Sequence, residues 1–195
     1  MPENNHGKCN TSNPTVIKWV NQMSALCQPK NVFWCDGSEA EKKMLTAQAV
    51  EQKILIELNQ KKLPGCFYHR SDPGDVARVE QCTFICSDTR EEAGPTNNWA
   101  APKEMYAKLH ALCTGAMAGK TMYVVPYLMG PSGSPMTKVG VEVTDSIYVV
   151  LSMRIMTRMG QVAYEQLGDS NDFNRGLHCM LNCNEIGRAS CRERV

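Results

Sequence analysis

The apolar positions of this chain fall into alternating helix-period and strand-period segments. Val16, Trp19, Val20, Met23 and Leu26 recur every three or four residues, which predicts a short helix over 15–26 that ends before Gln28-Pro29. Val32 to Cys35 predicts a strand, and Asp36-Gly37 turns the chain. Ser38 followed by Glu41 is a capping box: the hydroxyl accepts a first-turn N–H and the carboxylate reaches back. The helix it starts is expected to run to Lys62, with apolar residues at 44, 47, 50, 54, 55 and 58, charged residues on a solvated face, and Leu63-Pro64-Gly65 as its stop.

Asp72-Pro73-Gly74-Asp75 opens a further short helix carrying Val76 to Val79, with Asp as N-cap and Pro at the first position. Residues 82–86 read as a strand, 87–100 as a loop, and Pro102 to Cys113 as a helix closed by Gly115. Residues 121–129 predict a buried strand whose Pro126 implies an edge or a bulge. A turn-rich GPSGSP loop (130–135) leads to a strand over 139–143. Asp145 or Ser146 caps a helix that runs to Gly160, and 161–167 can continue as a second short one. Strands and helices interleave, so the fold class is α/β with a mixed sheet flanked by helices. The polar first 14 residues are expected to be disordered, with the domain over 15–184.

Charge and composition narrow the function. The 195 residues carry 21 Lys+Arg against 20 Asp+Glu, a net charge of +1, too weak a field to single out nucleic acid or an anionic membrane as partner. No apolar run approaches a membrane span, and the N-terminus has no signal-like apolar stretch, so the cytosol is the default compartment. Ten cysteines include no CxxC pair, only Cys82/Cys86 and Cys179/Cys183 at CxxxC spacing. Reduced, mostly buried thiols, a metal site or disulfides are the readings, the first favoured in a cytosolic chain. Residues 185–195 (EIGRASCRERV) have no apolar periodicity and read as a translated sequencing-library adapter, with a basic surface tail as the alternative. On the adapter reading, the native gene continues beyond this point.

Each candidate for chemistry has a bland counterpart. GAMAGKT (115–121) lacks the four residues between glycines that a phosphate loop needs, and it follows a helix instead of preceding one; a helix end and strand entry fit better. GPSGSP could offer amides to an anion or simply form a hairpin loop. Asn97-Asn98-Trp99 is a polar site loop or a structured surface turn. His178, beside Cys179, is a metal ligand or an ordinary core or surface histidine. Arg154 and Arg158, four apart on a predicted helix, face either an anion or solvent. Arg78 is the sharpest residue: its fork of donors binds carboxylate or phosphate bidentately, or else it pairs with Asp75 within the helix.

The segments SDPGDVARVE (71–80), AGPTNNW (93–99), GKTMYVVPYLMGPSGSP (119–135), VGVEVTDS (139–146) and SMRIMTRMG (152–160) resemble the GTP-dependent phosphoenolpyruvate carboxykinases. The resemblance covers roughly 18–182 and the family's N-terminal, substrate-side domain. Departures are Ile147 where the family has Pro, Tyr127-Leu128 for Phe-Ser, and Cys179-Met180-Leu181 for Ser-Val-Gly. It implies conversion of oxaloacetate and GTP to phosphoenolpyruvate, CO₂ and GDP in gluconeogenesis, with manganese at the active site and a second divalent metal on the nucleotide. It also implies that Arg78, in the DVAR motif, grips the substrate carboxylate. The metal ligands, phosphate loop and guanine pocket of the family correspond to nothing in 161–195. The resemblance therefore implies that this chain alone neither catalyses nor binds GTP, needing the C-terminal nucleotide domain, and that the whole protein is monomeric. The rival classes are a non-catalytic anion-binding or scaffolding module and a thiol-rich metal or redox protein.

Overall fold

The structure, a computed structural model, describes residues 7–70, 80–180 and 188–193, the last stretch and Cys82 by backbone alone. The expected helix over 72–79, and Arg78 with it, lies outside the described residues.

A mixed sheet organises the chain. Its order is β1 (Asn31–Trp34), β6 (Thr121–Met129), β7 (Lys138–Thr144), β9 (Asn174–Met180) and β10 (Arg188–Glu193), with β8 (Arg158–Met159) also paired to β6. β1 runs parallel to β6, β6 antiparallel to β7, β7 parallel to β9, and β9 antiparallel to β10. Strand alternation divides β6 between two cores. Met122, Val124 and Leu128 join Val139, Val141 and Val143 of β7 beneath α1 (Pro14–Cys27) and α5 (Gln161–Leu167). Tyr123 and Val125 face the other way, against Leu45 and Ala49 of α2 (Glu39–Glu51) and Ile147 and Val150 of α4 (Ile147–Met156). The result is a helix–sheet–helix sandwich, the expected α/β class. Each fully buried Val or Leu contributes on the order of 1.5–3 kcal/mol from apolar area alone.

Outside the main sheet, β2 (Ile56–Glu57) pairs antiparallel with β3 (Phe67–Tyr68), and β4 (Phe84–Cys86) pairs parallel with β5 (Asn98–Ala100). α3 (Pro102–Cys113) follows β5.

Several boundaries differ from the sequence reading. α2 ends at Glu51 and not at Lys62, because Lys53 turns left-handed (φ 58°) and both Ile54 and Leu55 N–H donate to the Ala49 carbonyl. α4 ends at Met156. Thr157 is extended, and Arg158–Met159 pair with β6 just past the end of β1. The loop expected over 87–100 closes with β5. Pro126 sits in an interior strand, yet its nitrogen faces the gap between β1 and β8, where no donor is required; its carbonyl accepts from Gly160 N at 2.9 Å. Gly7–Asn13, expected to be disordered, lie against the fold. Gly7 bridges Trp34, Asn10 Nδ2 donates to the Cys35 carbonyl, and Asn13 Oδ1 caps α1 with Pro14 at its first position.

Candidate functional site

Arg78 belongs to the segment 71–79, whose two ends are held by described residues. On the leading side, His69 Nδ1 lies 2.7 Å from the Ile54 carbonyl, and the ring stacks on Tyr148 of α4 at 3.8 Å between centroids. On the trailing side, Asn98 Nδ2 donates to the carbonyls of Glu80 (2.6 Å) and Thr83 (3.1 Å). Asn97 Nδ2 donates to Ala93 O, and Trp99 Nε1 to Ser87 O. The NNW triplet thus leads from the loop into β5, and its middle residue clamps the chain two residues past Arg78. The run of polar residues pointed to this loop; its partner, Glu80, became visible only through β4–β5 pairing.

The other candidates are engaged within the fold. In GAMAGKT the amides of Gly115 and Met117 donate to Leu26 O and Cys27 O, and those of Ala118 and Lys120 to Gly115 O and Met117 O. No cradle of free N–H groups remains for phosphate, and the segment links helix to strand as read. Lys120 Nζ lies 2.7 Å from Oδ2 of Asp145, whose fully buried side chain also accepts Met180 N. This anchor of β9 went unread because the two residues lie in separate motifs 25 positions apart, which only the fold brings together.

GPSGSP forms the β6–β7 hairpin loop. Gly133 N donates to Gln166 Oε1 at 2.8 Å, Ser134 N to Pro131 O, and Thr137 Oγ1 to Pro131 O. These groups satisfy one another and do not converge on a ligand. Arg158 Nη1 donates to Gly130 O at 2.9 Å, so the arginine braces the loop. It leaves the helix on which it was placed, and with it the expected i, i+4 pair with Arg154. A cleft of about 380 Å³ opens beside this hairpin, lined by Pro135, Thr137, Lys138, Gln166, Asp172 and Asn174 among others, and mostly polar.

Arg154 faces two carboxylates, neither a solvent stripe nor a free anion. Its guanidinium lies 3.1 Å from Glu39 and 3.6 Å from Glu41. Glu41, the carboxylate of the expected capping box, is fully buried. It reaches back as a capping residue, but further than the motif implies: Oε2 accepts Asp36 N (2.6 Å) and Oε1 accepts Gly37 N (3.2 Å). Ser38 Oγ accepts Glu41 N in the expected way. Burial pushes the Glu41 carboxyl up to about 6, against the pull of the Asp36 amide and Arg154. Gly37 and Gly160 touch backbone to backbone beside it; a Cβ on either would lie 2.3 Å from Met159 O or 2.2 Å from Asp36 O.

His178 Nδ1 lies 2.8 Å from Thr144 Oγ1. Among the described residues no three His, Cys, Asp or Glu side chains converge on a point that could hold a metal, so the manganese implied by the resemblance finds no donor set there. Of the described thiols, Cys27, Cys35, Cys113 and Cys179 are buried and free, while Cys9, Cys66 and Cys86 are exposed and free. No helix among the described residues is long and apolar enough to cross a membrane.

Comparison with known proteins places these features in a family. The family model for the phosphoenolpyruvate carboxykinase N-terminal domain matches residues 18–192. A phosphoenolpyruvate carboxykinase [GTP] of Anaeromyxobacter dehalogenans strain 2CP-C is 62% identical over 181 residues, 93% of this chain and 30% of that protein. The proteins of the same name from Chlamydia muridarum and Neocallimastix frontalis are 55% and 46% identical, over 82% and 94% of the chain. The chain spans about 30% of the length of the relatives it matches.

Proposed function

Because the chain belongs to the phosphoenolpyruvate carboxykinase N-terminal domain family, we propose that it is the substrate-side part of a GTP-dependent phosphoenolpyruvate carboxykinase. The reaction converts oxaloacetate and GTP to phosphoenolpyruvate, CO₂ and GDP, the entry step of gluconeogenesis. The observation that carries the reading is the 62% identity to a protein of that name across 93% of the chain.

Within this part, Arg78 supplies the substrate contact. Two parallel N–H···O bonds from a guanidinium fix the plane of a carboxylate as well as its position. Held so, the breaking C–C bond of oxaloacetate lies across the π-system of the forming enolate, an orientation effect that lowers the barrier without bond-making by the protein. His69 and Asn98 hold the described residues that flank the arginine's segment on either side.

In the whole enzyme, manganese acts as Lewis acid and template, and a second divalent ion accompanies the GTP. Among the described residues no metal donor set forms, and the amides of Gly115, Met117, Ala118 and Lys120 are spent on backbone carbonyls. We assign both to the C-terminal nucleotide domain, which leaves the 195-residue chain inactive alone. The whole enzyme is cytosolic and monomeric on this reading.

The test is Arg78→Ala in the protein of the complete gene. Loss of the fork lowers kcat/KM for oxaloacetate by tenfold or more, about 1.4 kcal/mol of transition-state stabilisation. Arg78→Lys keeps the charge and recovers only part of it, because an ammonium lacks the planar fork. An unchanged kcat/KM in Arg78→Ala removes the arginine from the site.

A further inference from the structure

α3 is joined to the sandwich through very little. Of its 12 residues only Cys113, the last, is buried. Leu109 packs partly on the core, while Tyr106 and Leu112 stand exposed. A helix held by so few apolar contacts belongs to the low-stability end of a structure, where local opening precedes global unfolding.

The single buried residue is a thiol that faces another thiol. Cys113 Sγ lies 3.8 Å from Sγ of Cys179, next to the last residue of β9, and both side chains are essentially inaccessible. Their chain neighbours Thr114 and Met180 are exposed, so the pair sits just beneath the surface. The two sulfurs are unequal. The hydrogen bond from Cys179 holds the Cys113 thiol below its ordinary range, and the same bond with burial holds Cys179 high, as the donor. Cys27, in the same core layer, is pushed up to about 12, chiefly by burial, and stays a thiol.

We propose that Cys113 and Cys179 form a two-electron oxidation site, at which a peroxide converts the thiol pair into a disulfide tying α3 to the sheet. The Cys113 thiolate, its proton released to water, attacks one oxygen of hydrogen peroxide. The O–O bond breaks, hydroxide leaves and takes up a proton as water, and Cys113 becomes a sulfenic acid. The sulfur of Cys179 then attacks that of Cys113; the S–O bond breaks, and the hydroxyl departs with the Cys179 proton as a second water. The two thiols lose two protons and two electrons, and the peroxide accepts them. Bringing the sulfurs from 3.8 Å to the bonded distance of about 2.05 Å requires side-chain rotation with a small approach of the helix end. The loosely held α3 permits that approach, and its opening admits the oxidant.

The 195-residue chain is treated with hydrogen peroxide, free thiols are blocked by alkylation, and the product is digested and mapped by mass without reduction. We expect a 113–179 linked peptide, two hydrogens lighter than the sum of its parts and resolved by dithiothreitol. Amide hydrogen exchange across 102–113 should slow by tenfold or more in the linked form. Cys179→Ser, which removes the resolving sulfur at nearly constant volume, should leave Cys113 as a sulfenic acid captured by dimedone. A 27–113 link would overturn the proposal. So would oxidation confined to Cys9, Cys66 or Cys86 with Cys113 and Cys179 still alkylated after unfolding. The wild-type map decides between these outcomes even if the serine variant does not fold.

Discussion

Replacing Glu41 by Gln tests which force governs the buried carboxylate, desolvation or the nearby arginine. Glu41 accepts two backbone N–H groups and lies 3.6 Å from Arg154, yet its carboxyl is raised from 4.5 to about 6. A carboxyl raised on folding is held protonated more firmly in the native state than in the unfolded chain. Its contribution is therefore complete below pH 4.5 and is lost as pH rises through 6, by no more than about 2 kcal/mol at neutrality. Gln keeps one acceptor oxygen and does not titrate, but it turns an NH₂ toward a backbone donor and leaves Arg154 less compensated. It should cost on the order of 1–3 kcal/mol. Urea denaturation of wild type and variant in parallel cancels the other titrating groups. The stability gap between them should be larger at pH 5 than at pH 7.5, by about 1 kcal/mol. A gap that widens with pH would show that Arg154 outweighs burial, with the carboxyl lying below its ordinary value, and the reasoning would be refuted. Glu41→Ala, which strands the Asp36 and Gly37 amides as well as the guanidinium, should be worse at either pH, by about 3–5 kcal/mol.

Two further variants probe the surroundings of the proposed site. Gly160→Ala places a Cβ 2.2 Å from Asp36 O at a residue with φ 109°, and should cost about 3 kcal/mol or more by thermal denaturation; a loss under 1 kcal/mol would mean that the Gly37–Gly160 crossing yields easily. Asn98→Ala in the complete enzyme frees the Glu80 and Thr83 carbonyls and should raise KM for oxaloacetate by about two- to tenfold with kcat little changed; an unaltered KM would separate that clamp from the positioning of Arg78.

The sequence pattern located elements better than it located their ends. α3 and α5 stand where Pro102, Gly160 and Gly168 punctuate the apolar spacing, and β6 and β7 where apolar runs exceed what a turn can hold. α2 was read too long because Ile54, Leu55 and Leu58 continue the three-to-four spacing of a helix. Only the left-handed Lys53 and the β2–β3 pairing reveal that the same residues leave it. α4 was read too long because a strand of two residues, Arg158–Met159, has too few positions to show a period. Of the proposed site, Arg78 rests on its motif alone and lies outside the described residues, while the clamp was legible through the polarity of Asn97-Asn98, but not the carbonyls it holds.

The division is physical. Periodicity, capping residues and turn residues are local properties, so the chain by itself determined the α/β class, the Ser38 cap and the failure of GAMAGKT as a phosphate loop. Burial is not local: it depends on which distant segment covers a residue. Glu41 was legible as a capping carboxylate, but its complete burial was not, because its own helix carries charged neighbours on either side. Arg154 reaches it from α4, Gly160 closes the turn beside it, and the burial that results raises its carboxyl to about 6 against the pull of the guanidinium. Cys113 and Cys179, 66 residues apart, face each other only because α3 ends over β9. The environment that decides protonation and reactivity is assembled by packing, and packing brings together residues whose separation along the chain carries no sign of it.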